Sequence, residues 1–459
     1  MNISHKLEII AQECKSTSTP KLILPRHHNY YNDVNFLDLS RCIGKRQSSE
    51  DGFAFKTIST FVPAHYTAYG CTRHPVLNIG DDFFSYVHVI SLGDCSYTAR
   101  NELYFTIGVI DNDDNDLPAF IVKYDWIIKD TSSKQGCSLV NSNTGAWCLC
   151  SVVSVGFEET MGTISEPKIM AYYLGLDGRK VQWTLTKNDI DSSFDYASIL
   201  LGKGRGVTID NVGYLLVHGT LKHTRIDPPL CQSYGCTDPS LDICYQAQKP
   251  ARFNYKPYVN GILSFNLSHT KKPVLIVRLL DPSNIWTPGE GSLYQNRLTK
   301  LYYIQIYSQG WRSLPQVGVI SLTSNLAIEW STHKVLSRPG PQQCDSRNRC
   351  PKICNTSTSI GYYPLAIDYS SAIGLSLLNP TYLINPWLQI SNGTHINYAK
   401  QVYPTNQESS STYTHCFDFR KVTWCVTLAE LKKPYGNFFM IEPITYILYP
   451  YCDKSRASY

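Results

Sequence analysis

The sequence ELYFTIGVI at residues 102–110 combines β-branched and aromatic residues and leads directly into the polar run DNDDND at 111–116. A short apolar run that ends in turn-forming residues is typical of a buried β-strand. Runs of the same kind recur along the whole chain. They lie at residues 168–176, 272–280, 300–308, 316–322 and 422–428. The sequence therefore predicts strands throughout, rather than in one β-rich segment.

Helix-forming patterns are scarce in the same sequence. Residues 191–201 are the best short helix candidate, and residues 7–11 are interpreted as a fragment of an upstream helix. The 32 Tyr, 16 Phe, 28 Gly and 25 Pro favour strands and turns. No regular alternation of helices with the strands is visible, which argues against a parallel α/β fold. The predicted fold class is all-β.

A single all-β unit of 459 residues must protect the edges of its sheets. Radial repetition of four-stranded antiparallel blades does so, and six blades would contain roughly 70 residues each. No Pro/Ser-rich linker divides the chain. We therefore predict one six-bladed β-propeller over residues 14–459, with residues 1–13 as the end of a stalk or linker. A disulfide between Cys14 and Cys452 would close the ring.

The sixteen cysteines fall in clusters typical of disulfides made in an oxidising compartment. Zinc is the competing interpretation, but no Cys-x-x-Cys or His-x-x-x-His pair occurs. Four Asn-x-Ser/Thr acceptor sites, at Asn2, Asn266, Asn355 and Asn392, point to the same compartment. No stretch of 18 apolar residues occurs. We therefore expect the soluble ectodomain of a longer, membrane-anchored protein.

Other motifs support weaker interpretations. The net charge is only +5 and no run of five Lys or Arg occurs, so nucleic-acid binding has little support. Gly202-x-Gly204-x-Gly206 is predicted to form a turn rather than a phosphate loop. Residues 111–116 are predicted to be a solvated hairpin tip, because they lack the Gly and Glu of an EF-hand calcium loop. We expect no cofactor and no metal.

Several segments resemble the attachment glycoproteins of paramyxoviruses. They are GCTRHP at 70–75, Cys231-x4-Cys236-x7-Cys244, SRPG at 337–340, Cys344, RCP at 349–351, Cys354, YPL at 363–365, Cys416-x8-Cys425 and Cys452. The cysteine spacing is most similar to that of the henipavirus-like group. The resemblance implies a six-bladed propeller head, carried on a helical stalk and an N-terminal anchor in a type II membrane protein. Such a protein lies on the virion envelope and on the surface of the infected cell.

The resemblance also implies a set of disulfide pairs. They are Cys14–Cys452, Cys42–Cys71, Cys137–Cys150, Cys231–Cys244, Cys236–Cys350, Cys344–Cys354 and Cys416–Cys425. Cys95 and Cys148 remain and are paired with each other. Every cysteine is thus interpreted as structural.

Some members of this superfamily are haemagglutinin-neuraminidases, whose propeller centre binds sialic acid. The resemblance implies an arginine cluster for the substrate carboxylate and a tyrosine nucleophile activated by a glutamate. Arg73 and Arg338 match two of the three family arginines. The third position, after Tyr307, reads Ser308-Gln309, and Arg312 is out of register.

The other family positions also depart from the enzyme pattern. The hexapeptide Asn-Arg-Lys-Ser-Cys-Ser is matched at residues 133–138 only in its final Cys-Ser. The tyrosine position falls on Ser359, near Tyr362 and Tyr363, and the glutamate position falls on Phe157, beside Glu158 and Glu159. The sequence therefore predicts that the chain is not an enzyme. Arg73 and Arg338 are interpreted as inherited structural arginines, with residual carboxylate binding as the alternative.

The predicted function is that of a viral attachment head, which binds a host-cell surface receptor and triggers a partner fusion glycoprotein. We expect it to form a homo-oligomer through the stalk. Candidate receptor contacts are loop aromatics and cations of the kind enriched in binding hot spots. They are Trp311, Arg312, Lys352, Asn355, Tyr362, Tyr363, Trp387 and Tyr403. A sialic-acid-cleaving enzyme and a secreted adhesion scaffold are the alternatives.

The loop at residues 350–356 bears on the receptor. Henipaviruses that use ephrins carry Cys-Pro-Glu-Ile-Cys-Trp-Glu there, whereas this chain reads CPKICNT, with Lys352 for a carboxylate and Asn355 for the indole. Reversing a charge and removing an aromatic anchor both oppose the same ligand. The sequence therefore predicts no appreciable binding to ephrin-B2 or ephrin-B3.

Overall fold

In the computed structural model the residues that the structure describes form β-sheets and one short 3-10 helix, Lys187–Asp189. The structure describes residues 56–58, 70–92, 101–112, 118–129, 133–153, 168–192, 195–202, 204–221, 258–280, 289–295, 300–306, 316–322, 325–330, 365–366, 373–377, 387–391, 396–401, 409–419, 422–435, 438–441 and 445–451.

The strands are numbered in chain order. The first fourteen are β1 (Lys56–Ile58), β2 (Gly70–Ile79), β3 (Phe84–Leu92), β4 (Asn101–Asn112), β5 (Pro118–Lys129), β6 (Ser133–Ser142), β7 (Gly145–Val153), β8 (Ile169–Gly175), β9 (Lys180–Leu185), β10 (Ile190–Ser192), β11 (Tyr196–Leu201), β12 (Gly204–Arg205), β13 (Val207–Ile209) and β14 (Val212–Leu221). The other fourteen are β15 (Tyr258–Asn266), β16 (Leu275–Leu279), β17 (Gly291–Gln295), β18 (Tyr302–Ile306), β19 (Gln316–Ile320), β20 (Ile328–Trp330), β21 (Leu365–Ala366), β22 (Ile373–Leu377), β23 (Trp387–Ser391), β24 (Ile396–Gln401), β25 (Ser409–Phe419), β26 (Val422–Tyr435), β27 (Phe438–Ile441) and β28 (Thr445–Tyr451).

Within the described ranges these strands form six sheets of four to six strands. Three sheets are plain meanders in chain order, β2–β5, β17–β20 and β21–β24. Two others gain a strand that runs parallel to its neighbour: β12 pairs with β6, and β10 pairs with β16. Each added strand covers the edge of a sheet, which a strand otherwise leaves exposed. The prediction of purely antiparallel four-stranded blades is therefore wrong for these two sheets.

The last sheet joins the two ends of the described chain. β1 pairs antiparallel with β28, with Lys56 opposite Leu448, and the sheet continues through β26 to β25. Strand pairing therefore holds the N-terminal segment against the C-terminal one. Cys14 and Cys452, the predicted covalent closure, lie outside the described residues.

Burial along the strands follows their position in each sheet. The run at 102–110 lies in β4, and every residue of β8 is buried, whereas β9 alternates between exposed and partly exposed positions up to the buried Leu185. Middle strands are covered on both faces because neighbouring sheets pack face to face. Trp147 on β7 shows such a contact, since it stacks on Trp183 and packs edge-on against Phe265 of the next sheet. The result is an all-β, propeller-like fold.

Two local predictions are wrong. The helix candidate at 191–201 contains the end of β10 and all of β11, which pairs antiparallel with β14. Pairing with β14 and the burial of Ile199, Leu200 and Leu201 override the local helical spacing. The segment from Gly202 to Gly206 is not a simple turn, because it contains β12. Asp111 and Asn112, which begin the acidic run at 111–116, are the last two residues of β4, and Asn112 lies opposite Pro118 of β5. The rest of the run lies outside the described residues.

Candidate active site

The innermost strands of several sheets lie side by side. β2 contacts β6 and β25, and β12 contacts both β6 and β17. β2 carries Arg73, whose backbone pairs with Val89, and β6 carries the 133–138 segment that was matched to the family hexapeptide. The fold therefore brings two predicted site segments onto neighbouring strands.

A cluster of buried polar side chains lies on these strands and the adjoining ones. We call it the axial cluster, and each member is 5% exposed or less. Its members are Arg205, His218, Asn260, Glu290 and Ser292. Sequence reasoning missed all five. One signal was present, because Glu290 stands between two glycines directly before a strand, where a backbone can approach a carboxylate closely.

Asn260 fixes the backbone that carries Glu290. Its Nδ2 donates to the carbonyl oxygen of Gly289 at 2.8 Å, and its Oδ1 accepts from the Gly289 N–H at 2.9 Å. The same Nδ2 donates to the carbonyl oxygen of Val217 at 3.0 Å. A side-chain amide thus ties the start of β17 to β14.

The glycines of the 202–206 segment form a wall of the cluster. A Cβ on Gly202 would overlap the Glu290 side chain, and one on Gly204 would overlap the carbonyl oxygen of Gly291. Glycine is required here by the close approach rather than by a turn. The Arg205 N–H donates to Oγ of Ser292 at 3.4 Å, which ties β12 to β17.

His218 lies opposite Asn260 in the β14–β15 ladder. Burial lowers the pKa of His218 to about 4, although the neighbouring Glu290 opposes that change. The imidazole is therefore neutral at physiological pH.

Aromatic side chains border the cluster. Tyr294 and Tyr303 stack with ring centroids 5.1 Å apart, and the guanidinium carbon of Arg205 lies 6.0 Å from the Tyr294 centroid. Gln305 lies directly opposite Ser292 across β17 and β18. The site thus combines a carboxylate, a guanidinium, amides and phenols in a protected interior. Such a set can bind a carboxylate and assist proton transfer.

The other predicted site residues are distributed as follows. Trp387 is the first residue of β23, and Asn266 is the exposed last residue of β15. The Oδ1 of Asn266 accepts from the backbone N–H of Ser268 at 2.8 Å. The remaining predicted contacts, arginine and acceptor sites lie outside the described residues. They are Trp311, Arg312, Arg338, Lys352, Tyr362, Tyr363, Tyr403, Asn2, Asn355 and Asn392.

The cysteines in the described ranges agree with a structural role. The structure contains the predicted Cys137–Cys150 disulfide. Cys416 and Cys425 are directly opposite each other in the β25–β26 ladder, as their predicted pairing requires. Cys148 is buried, with Sγ 3.7 Å from Sγ of Cys150. The sulfurs of Cys137, Cys148 and Cys150 form the one group among the described residues that could hold a metal ion. Two of them, Cys137 and Cys150, are already bonded to each other.

None of the helices in the described ranges is long and apolar enough to cross a membrane.

Comparisons with known proteins identify the family. The family model described as haemagglutinin-neuraminidase matches residues 2–449. The haemagglutinin-neuraminidase of Sendai virus (strain Z) is 26% identical over 366 residues, which is 79% of this chain and 63% of that protein. Glycoprotein G of Nipah virus is 21% identical over 88% of this chain and 68% of its own length. The Sendai protein is the more similar of the two, so the henipavirus-like grouping has no specific support.

Solved structures share the fold. The haemagglutinin-neuraminidase ectodomain of parainfluenza virus 5 aligns with a TM-score of 0.67 at 18% identity, covering 87% of this chain and 86% of that one. The same viral protein has been solved with the ligand DANA, and that structure aligns with a TM-score of 0.66.

These comparisons overturn the prediction that the chain is not an enzyme, because the matched family and the Sendai relative are neuraminidases by name. The prediction rests on the departures from the family positions at Gln309, Ser359 and residues 133–136. Matching positions by sequence alone is unreliable across loops, whose lengths vary between relatives. It also misses Glu290, a buried carboxylate that the fold places beside the innermost strands. The chain belongs to the haemagglutinin-neuraminidase family.

Proposed function

We propose that this chain is the receptor-binding head of a paramyxovirus attachment glycoprotein that binds sialic-acid-bearing receptors and hydrolyses their glycosidic bond. The chain spans about two thirds of the length of the Sendai relative, 63%, so the activity of the whole protein is part of the proposal. The observation that carries it is the axial cluster, which buries Glu290, directly before β17, and Arg205, on the neighbouring β12, inside a family of sialidases.

Glu290 is proposed as the general base. It is 3% exposed, and Asn260 holds the residue before it in place through two hydrogen bonds. A carboxylate held in a protected interior can take the proton from a tyrosine hydroxyl as that oxygen attacks the sugar. Tyr362 and Tyr363 are the nucleophile candidates, because they lie nearest to the family position.

Three arginines are proposed to bind the substrate carboxylate. Arg73 and Arg338 come from the family resemblance, and Arg205 is the arginine of the axial cluster. The planar guanidinium group binds carboxylates bidentately, which orients the sugar as well as holding it. Arg205 takes the role that the family gives to the third arginine, whose position lacks one here.

Several finer features belong to the same proposal. They are six blades around one axis, a stalk that forms the homo-oligomer, triggering of a fusion glycoprotein and display on the virion envelope. The predicted lack of ephrin binding also stands. Biolayer interferometry against ephrin-B2 and ephrin-B3, with and without the Asn355 glycan, tests that part, and nanomolar binding by either form would contradict it.

A fluorogenic sialoside tests the central activity. Purified wild-type chain should release the fluorophore, DANA should inhibit the reaction, and Arg73→Ala should abolish it. Arg179→Ala is the matched control, because Arg179 is an exposed arginine paired with Asp177 and His269. It should keep wild-type turnover. Release no faster than without protein would refute the hydrolase part of the proposal.

A further inference from the structure

Asn266, the last residue of β15, stands at the exposed end of one face of its sheet. Residues two apart in a strand share a face, and exposure rises along this one. Ile262 is 1% exposed, Ser264 is partly exposed and Asn266 is exposed. Ile262 packs in an apolar cluster with residues of β17 and β18, which belong to the neighbouring sheet. Asn266 therefore lies where the cover from that sheet ends.

Two exposed aliphatic side chains lie on the same face beside Asn266. Ser264 is opposite Ile276 in the antiparallel β15–β16 ladder, and continuing that register by two residues brings Val274 opposite Asn266. Ile276 is 46% exposed and Val274 is 59% exposed, the largest value among the large hydrophobic residues that the structure describes. One exposed aliphatic residue is ordinary, but two that share a face form an apolar strip. We call Val274 and Ile276 the aliphatic strip.

The side chain of Asn266 is held in a way that leaves room for a modification. Asn266, Leu267 and Ser268 form an acceptor triplet for N-linked glycosylation. Oδ1 of Asn266 accepts from the Ser268 N–H at 2.8 Å and from Nδ2 of Asn211 at 3.4 Å. Both bonds use Oδ1, so a sugar on Nδ2 removes neither of them.

We propose that Asn266 carries an N-linked glycan whose first sugars pack over the aliphatic strip. Attachment forms a bond from Nδ2 to C1 of N-acetylglucosamine and breaks the bond from C1 to the diphosphate of a lipid-linked donor, which takes the amide proton. The C–H groups and acetyl methyl of this sugar cover Val274 and Ile276, while its hydroxyls stay in water.

The position of the glycan decides which surface it closes. Asn260, near the other end of β15, belongs to the axial cluster, and the two asparagines are roughly 20 Å apart along the strand. The glycan therefore leaves the axial cluster uncovered. It does cover the exposed end of this face with a bulky hydrated group, which excludes that surface from contacts with a receptor or a second copy of the chain.

Peptide mapping tests the attachment. The full chain is secreted from mammalian cells behind an export signal, and peptide N-glycosidase F in water enriched in oxygen-18 converts each glycosylated Asn to a labelled Asp. Label at position 266 is expected in most wild-type molecules and in Ser268→Thr, which keeps the acceptor triplet, but not in Ser268→Ala. Wild-type chain without label at this position overturns the proposal and leaves the aliphatic strip open to a protein partner.

A mutant cycle tests the packing of the glycan on the strip. Melting temperatures of Ser268→Ala and its matched control Ser268→Thr are compared in the natural background and in the double variant Val274→Ser, Ile276→Thr. Loss of the 2.9 Å contact between Oγ of Ser268 and Oγ1 of Thr270 is common to both backgrounds and cancels. The drop caused by Ser268→Ala should be larger by about 1–3 °C in the natural background, because only there does the glycan cover aliphatic side chains. An equal drop in both backgrounds overturns the packing on the strip.

Discussion

Two regions of this molecule are equally buried but differ in what they bury. Around Trp147, the sheet that contains β7 and the sheet that contains β15 meet through aromatic and aliphatic side chains, and the Trp147 indole N–H donates to the carbonyl oxygen of Leu267 at 3.1 Å. In the axial cluster, a carboxylate, a guanidinium, an imidazole, an amide and a hydroxyl occupy a similar interior. Apolar burial stabilises a fold directly, whereas polar burial needs compensation. The residues around Trp147 therefore stabilise the fold, whereas those of the axial cluster are suited to binding and catalysis.

The largest expected effect on stability is in the apolar region. Trp147 is fully buried and contacts Tyr173, Trp183 and Phe265. Trp147→Ala should lower the free energy of unfolding by about 3–5 kcal/mol, because it leaves a cavity between two sheets. Urea denaturation followed by fluorescence measures this change. A loss below about 1 kcal/mol would show that the sheets do not depend on this contact.

The next effect concerns His218 and depends on pH. Its pKa is about 4 in the folded chain, below the ordinary value of 6.5, so between these values the unfolded chain binds a proton that the folded chain excludes. Stability should therefore fall as pH decreases from 6.5 to 4, with His218 accounting for about 3 kcal/mol of that loss. His218→Gln should remove this part of the pH dependence of stability, because glutamine does not titrate.

Denaturation curves of wild type and His218→Gln at several pH values measure the difference. The gap in unfolding free energy between the two proteins should change through this window and stay constant below pH 4. A gap that is the same at pH 7 and pH 4 would show that His218 accepts a proton without loss of the fold.

The apolar region was largely predictable, and the axial cluster was not. The run at 168–176 predicts a strand, and Ile169–Gly175 forms one beside Trp147, because aromatic and β-branched residues identify a strand locally. Arg205, Asn260 and Glu290 are far apart in sequence and meet only through sheet topology. The helix predicted at 191–201 fails for the same reason, since its pairing with β14 is not visible locally. Local sequence patterns therefore predict the strands, whereas the axial cluster depends on long-range strand pairing that those patterns do not show.

The smallest expected effect lies on the surface. Nζ of Lys272 is 2.7 Å from Oδ2 of Asp189, and the lysine side chain is 44% exposed. Lys272→Met keeps the apolar stem and removes the charge. It should reduce the free energy of unfolding by less than about 1 kcal/mol, and by less still in high salt. Thermal melts at two salt concentrations check this, and a loss that salt leaves unchanged would assign it to packing instead.

The central claim is that the axial cluster is kept for catalysis, and Glu290→Gln tests it most directly. Stability and kcat/KM toward a fluorogenic sialoside are measured on the same preparation, because the substitution removes a charge and keeps the shape. The expected result is a stability equal to or above that of wild type, with kcat/KM at least about 100-fold lower. A variant that is clearly less stable and retains wild-type kcat/KM would contradict the account, because Glu290 would then serve the fold alone.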